Sequence, residues 1–226
     1  MVRRYKKSLS LCLKASVLLV GLSSTYGRAF AGSCTPTAIP GSYNCAGGAL
    51  GTDVTQNPPP GNPLIVTTSA GFGINTAFTG GEAFKLYSNG GGLTFTDSNI
   101  SSITGATHGI VAVNVHTDTL AVTTTGTVTG LHGIGIWADN RSTATNLTIT
   151  TAGVFGTDAG INATNSGTGQ LSISASGVVS GHDDIGIVAV NHGTDLTITA
   201  TEVTGGHHGI VATNAGNSAL SITTTG

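Results

Sequence analysis

The amino-acid sequence predicts an all-β fold: a right-handed parallel β-helix of about 25-residue rungs, preceded by a signal peptide and a disulfide-closed cap. Three observations predict it. Asn89, Asn114, Asn140, Asn165, Asn191 and Asn214 recur at spacings of 25, 26, 25, 26 and 23 residues. Five of them close similar phrases, such as Gly109-Ile-Val-Ala-Val-Asn114, Gly135-Ile-Trp-Ala-Asp-Asn140 and Gly186-Ile-Val-Ala-Val-Asn191. A second phrase recurs beside them, as in Leu93-Thr-Phe-Thr96, Leu147-Thr-Ile-Thr150 and Leu196-Thr-Ile-Thr199, with the period-2 alternation of a half-buried strand.

Composition agrees. Only 8% of residues are charged, which argues against disorder. Long helix formers are scarce from Gly32 onward, whereas Thr, Val and Ile favour strands.

The elements follow in chain order. Arg3, Arg4, Lys6 and Lys7 precede the apolar run Ala15 to Leu22, and Ala29-Phe30-Ala31 supplies a small-x-small cleavage signature. Residues 1–31 therefore read as a secretory signal peptide, cut between Ala31 and Gly32. The apolar run is too short to span a membrane, which takes about 20 residues. A lipoprotein site at Cys34 is disfavoured, because Ala31 stands where Leu is usual. Cleavage removes Cys12 and leaves Cys34 and Cys45, which flank a turn-rich segment and are expected to pair in an oxidising compartment.

Residues 32–63, with Pro58-Pro-Pro60, read as a cap or linker without strand periodicity. Residues 64–226 read as the repeats. A third phrase, such as Gly126-Thr-Val-Thr-Gly130 or Gly177-Val-Val-Ser-Gly181, gives each rung three short strands and three tight turns. Stacking equivalent strands at about 4.8 Å builds like side chains into ladders, with Leu and Ile inside and Asn at a corner. An antiparallel sandwich has no reason to repeat Leu at one position. A leucine-rich repeat needs a helix-forming half that these rungs lack.

Six of the eight Lys and Arg side chains lie in the leader, so two cations face ten carboxylates afterwards, a formal charge near −8. That balance excludes nucleic acid and anionic lipid as expected partners.

The stretches Gly186 to Thr199 and Thr204 to Asn214 resemble passenger domains of alphaproteobacterial type V autotransporters, and the basic leader is similar. The resemblance implies export across the inner membrane and then through the protein's own C-terminal outer-membrane β-barrel. It implies an adhesin or host-cell effector, on the cell surface or released, whose partner is a host receptor or matrix protein. Some related passengers are proangiogenic, which would make this one receptor-stimulating. The sequence departs from the family in having no alternating, aromatic-girdled barrel strands. It stops part-way through a rung at Gly226, so the expectation is the front piece of a longer protein.

Chemistry is sparse. No catalytic, cofactor-binding or metal-binding residues and no cofactor are expected. The one adjacent acidic pair, Asp183-Asp184, leaves a polysaccharide-cleaving β-helix as an alternative, since glycoside hydrolysis needs two carboxylates about 5–9 Å apart. His108, His132, His182, His207 and His208 all precede the Gly-Ile strand, and His182, Asp183, His207 and His208 could fall within metal-ligand reach. The alternatives are a solvated corner for the acidic pair and, for the histidines, a turn ladder in which imidazoles stack and cap backbone groups. Trp137, the sole Trp, stands where other rungs carry Val or Asn and is either an exposed contact anchor or a larger filler of that same face. Trp137, Arg141, His182, Asp183 and Asp184 are the candidate contact residues, on or beside the insertions Val115 to Thr119, Arg141 to Asn146 and Gly181 to Ile185. A purely structural stalk is the remaining alternative.

Overall fold

A computed structural model describes residues 33–48 and 51–226. The predicted leader and its Ala31–Gly32 junction lie outside the described residues. The described chain begins with β1 (Ser33–Pro36), β2 (Ser42–Ala46), β3 (Val54–Gln56), β4 (Leu64–Thr68) and β5 (Ile74–Asn75). It continues through β6 (Phe84–Ser88), β7 (Leu93–Asp97), β8 (Ile103–Gly105) and β9 (Ile110–Asn114). Longer strands follow: β10 (Leu120–Gly130), β11 (Ile136–Asn140), β12 (Leu147–Gly156), β13 (Ala159–Asn165) and β14 (Leu171–Gly181). The last are β15 (Ile185–Asn191), β16 (Leu196–Gly205), β17 (His208–Asn214) and β18 (Leu220–Thr224).

These strands coil into a parallel β-solenoid. One sheet runs β1-β2-β4-β7-β10-β12-β14-β16-β18, with β5 and β8 attached beside β10, and the other runs β17-β15-β13-β11-β9-β6-β3. Every pairing is parallel except β1 with β2.

The register places identical positions over one another. Leu64, Leu93, Leu120, Leu147, Leu171, Leu196 and Leu220 form one column. Phe84, Ile110, Ile136, Ile161, Ile187 and Ile210 form another across the core. A single hydrophobic cluster extends from Cys45 to Ala200, and Phe84 stacks between Phe72 and Phe95 where the core is widest in aromatic content. Period-2 alternation therefore does what it predicts: the inward residues of all rungs share one interior.

Three details differ from the expectation. The Leu phrase and the Gly-x-Val phrase are not separate strands, because the backbone stays hydrogen-bonded to neighbouring rungs around the corner. They form one bent strand in β10, β12, β14 and β16, with register irregularities such as that between Thr124 and Thr127. The bend is lined by small buried side chains, including Thr124 and Thr151, whose hydroxyls lie 2.8 Å apart. One rung earlier the same column holds the buried Asp97, which accepts hydrogen bonds from the hydroxyls of Thr68 and Ser101.

Second, strands of the coil already occur within the stretch read as a cap or linker. β2 pairs in parallel with β4, and β3 with β6, so the coil begins before Leu64. The stretch lacks visible periodicity because its strands are short.

Third, Asn89 is not in the asparagine column. Ser88 stands opposite Asn114, since Phe84, Leu86 and Ser88 share the inward parity of β6 and Asn89 falls one residue out of phase. Ser88 Oγ donates to the carbonyls of Gly91 and Gly92, holding the turn that Asn holds elsewhere. Asn89 Oδ1 is buried without a partner.

Cys34 and Cys45 form the expected disulfide across the antiparallel β1–β2 pair, with Cys45 fully buried at the end of the core. This hairpin covers one end of the 11-stranded sheet. Replacing both cysteines with alanine is expected to lower stability by about 3 kcal/mol, the chain-entropy value for a loop of this order. The check is the denaturant midpoint of the variant against the oxidised parent.

Candidate interaction surfaces

Two corners of the coil carry the candidate residues. At the first, β10, β12, β14 and β16 end in Gly130, Gly156, Gly181 and Gly205, and the chain turns back into the other sheet. A Cβ on these glycines would strike backbone, for example the carbonyls of Ile134, Ala159, Ile185 and His208. Only glycine lets the two strands approach so closely. The turns beyond project outward, and each is hydrogen-bonded to the next rung: Asp183 N–H donates to Thr157 O at 2.8 Å, and His207 N–H to Asp184 O at 2.8 Å.

The histidines of this corner do not act as one group. His108 is half-buried and bends toward the outer face of the seven-stranded sheet: its Nδ1 accepts the Ile134 N–H at 2.9 Å, and its ring meets Trp137 edge-on at 5.6 Å between centroids. His132 is exposed. His182 Nδ1 contacts Asp183, whereas His207 Nδ1 lies 3.4 Å from Asp184, on solvent-exposed side chains. Among the described residues no group of three or more His, Cys, Asp or Glu is placed to hold a metal ion, so His182, Asp183, His207 and His208 are not brought to a shared ligand. Adjacency in sequence brought them to one edge, but each carboxylate turns to a different histidine. Asp183 and Asp184 sit in open solvent rather than in a cleft. A shallow depression beside them is lined by Leu131, Phe155, Thr157 and His182.

The second corner holds the asparagine column. Asn114, Asn140, Asn165 and Asn191 are fully buried, and each donates through Nδ2 to Oδ1 of the asparagine one rung on, at 2.9–3.0 Å, ending on Asn214. The same Nδ2 groups hold turn carbonyls, such as Asn146 O at 3.0 Å from Asn140 and Gly169 O at 3.1 Å from Asn165. A primary amide has two donor hydrogens and an acceptor oxygen, which is what a column of this kind requires. The turn after Asn140 carries Arg141, whose Nε donates to Asp139 at 3.1 Å on the surface.

Between the corners lies the outer face of the seven-stranded sheet. Trp137 is on it, 40% exposed, in register with Val111 below and Asn162 above. It is therefore an outward residue, larger than the residues in register with it. Sequence reasoning missed the character of the face around it. Val113, Val188 and Val190 also point outward, yet each lies in a continuous apolar phrase that hides which members face in.

No protein-family model, curated protein or solved structure matches this chain. The surface itself is the basis for a functional reading.

Proposed function

We propose that the solenoid is a surface-displayed or secreted binding module, the passenger of an autotransporter, whose long sides engage a host cell-surface receptor or matrix protein. The observation that supports this reading is the unbroken stacking of outward columns, which presents extended, regular faces and exposed corner turns along the coil. Stacked repeats commonly use such faces to bind macromolecules. In this reading export proceeds through the periplasm and an outer-membrane β-barrel. The sequence stretches named above support that route, together with the basic leader.

The test is saturable binding of the purified chain to cultured host cells and to surfaces coated with matrix proteins. Binding that an excess of unlabelled chain displaces is expected. Signal no higher than that of an unrelated acidic protein on every surface would overturn the reading.

A further inference from the structure

The two sheets are opposite in outward character. On the 11-stranded sheet, Thr or Ser fills eleven of the twelve outward positions of the Leu-x-Ile-x phrases from Thr94 to Thr223. On the seven-stranded sheet, seven of the twelve outward positions from Lys85 to Thr213 are apolar: Tyr87, Val111, Val113 and Trp137 on three adjoining rungs, and Val188, Val190 and Val211 on two more, with Asn162 and Thr164 on the rung between them. Strand propensity does not explain the difference, because Thr serves an outward strand position as well as Val does. The first sheet is the internal control.

The surroundings specify what fits there. Asp158, Asp183 and Asp184 stand along the glycine corner, the last two beside His182 and His207, and Asp118 and Asp195 along the asparagine corner, so carboxylates border both long edges. The two cations near the face do not offset them: Lys85 is at one end, and Arg141 is engaged by Asp139. Six rungs at about 4.8 Å and two columns each about 7 Å wide give a face on the order of 400 Å², of which the seven apolar positions make up on the order of 200 Å². That is less than the roughly 800 Å² per partner of a standard stable interface, and it matches the apolar centre of one whose remainder is a charged rim. A second copy of this chain would bring the same carboxylates against these and be repelled.

We infer that the outer face of the seven-stranded sheet docks a partner protein surface with an apolar centre and Lys- or Arg-rich flanks, with Trp137 as its anchor. This rests on the reading of the coil as a binding module and names the face that does the binding.

Trp137 is the only Trp of the chain, so its fluorescence reports on this face alone. The probes are a Val- and Tyr-alternating synthetic peptide with Lys at both ends and its Glu-flanked counterpart. The Lys-flanked peptide is expected to give a saturable blue shift, with affinity at least 10-fold above that of the Glu-flanked one. The variant Val188→Thr with Val190→Thr copies the outward residues of the other sheet, keeps strand propensity, and is expected to bind at least 10-fold more weakly. Circular dichroism and the denaturant midpoint verify that it folds. Equal affinity for the two peptides, no saturable shift, or unchanged affinity of the folded variant would each overturn the inference. Host-cell binding separates the two readings. If the variant binds cells as the parent does, this face is not the contact and the proposed function survives. If the parent binds the Lys-flanked peptide but no cell or matrix surface, the docking face stands and the proposed function fails.

Discussion

Asn140→Ala is expected to destabilise the protein by about 3 kcal/mol. Asn140 is fully buried, and its side chain makes its bonds in both directions along the column. Its Oδ1 accepts from Asn114 at 3.0 Å, and its Nδ2 donates to Asn165 Oδ1 at 2.9 Å and to Asn146 O at 3.0 Å. Alanine removes all of these and leaves a cavity. Losing the partner of a buried polar group costs about 1–3 kcal/mol, and two amide neighbours are affected here. Relief is partial: Asn146 O still receives the Leu120 N–H, and Asn165 Oδ1 still receives the Gly167 N–H.

The molecule contains its own intermediate case. At Ser88 a hydroxyl holds the turn carbonyls but makes no bond to Asn114, so Asn140→Ser is expected to cost less than Asn140→Ala. Asn140→Asp is expected to cost more, because a carboxylate would place a charge among carbonyl oxygens and Asn165 Oδ1 without the amide donors. Asn214→Ala, at a partly exposed site with one asparagine neighbour, is expected to cost least. Denaturant midpoints give the order, and hydrogen exchange at the turns flanking residue 140 locates the loss. A midpoint for Asn140→Ala within 0.5 kcal/mol of the parent would show that the column does not hold the corner.

The architecture was legible because its signals are redundant. Leu120, Leu147, Leu171 and Leu196 repeat one residue type at one place in the rung, and period-2 alternation then allows one stacking. The asparagine corner was legible for the same reason, except where a single-residue phase shift put Ser88 inward and left Asn89 beside the column. The bend between Thr124 and Thr127 was not legible. Thr and Gly there suggest a strand end, and only hydrogen bonds to adjacent rungs carry the strand past it. The candidate contacts were the least legible. In Ile187-Val188-Ala189-Val190 every residue is apolar, so alternation vanishes and the outward pair cannot be distinguished from the inward pair. The turn histidines show a related limit: chain spacing places His182 and His207 on neighbouring rungs, but it does not show that their rings turn to separate aspartates.

The glycine corner makes the second large prediction, and it separates steric necessity from composition in a glycine-rich chain. Gly156→Ala is expected to destabilise by about 3 kcal/mol or more, since a Cβ there would overlap the Ala159 carbonyl oxygen and come within 2.7 Å of Ala159 C and 2.8 Å of Gly133 O. All three are backbone atoms, two in the tight turn itself and one in the turn of the preceding rung, so no rotamer change relieves the contact. The backbone at this position is not in the left-handed region, and the cost arises from proximity alone. Gly153→Ala, three residues earlier on β12, is the control. Its nearest atom would be Val178 O at 3.6 Å, an ordinary contact, and loss of unfolded-chain freedom then favours alanine by about 0.4–1 kcal/mol. The two substitutions make the same chemical change on one strand, yet they are expected to move the denaturation midpoint in opposite directions. Equal shifts would mean that the strands at the corner do not approach as closely as the stacking of Gly130, Gly156 and Gly181 requires. The outward turn bearing His182, Asp183 and Asp184 would then lose its fixed position beside the seven-stranded sheet, and the carboxylate border of the docking face would lose it too.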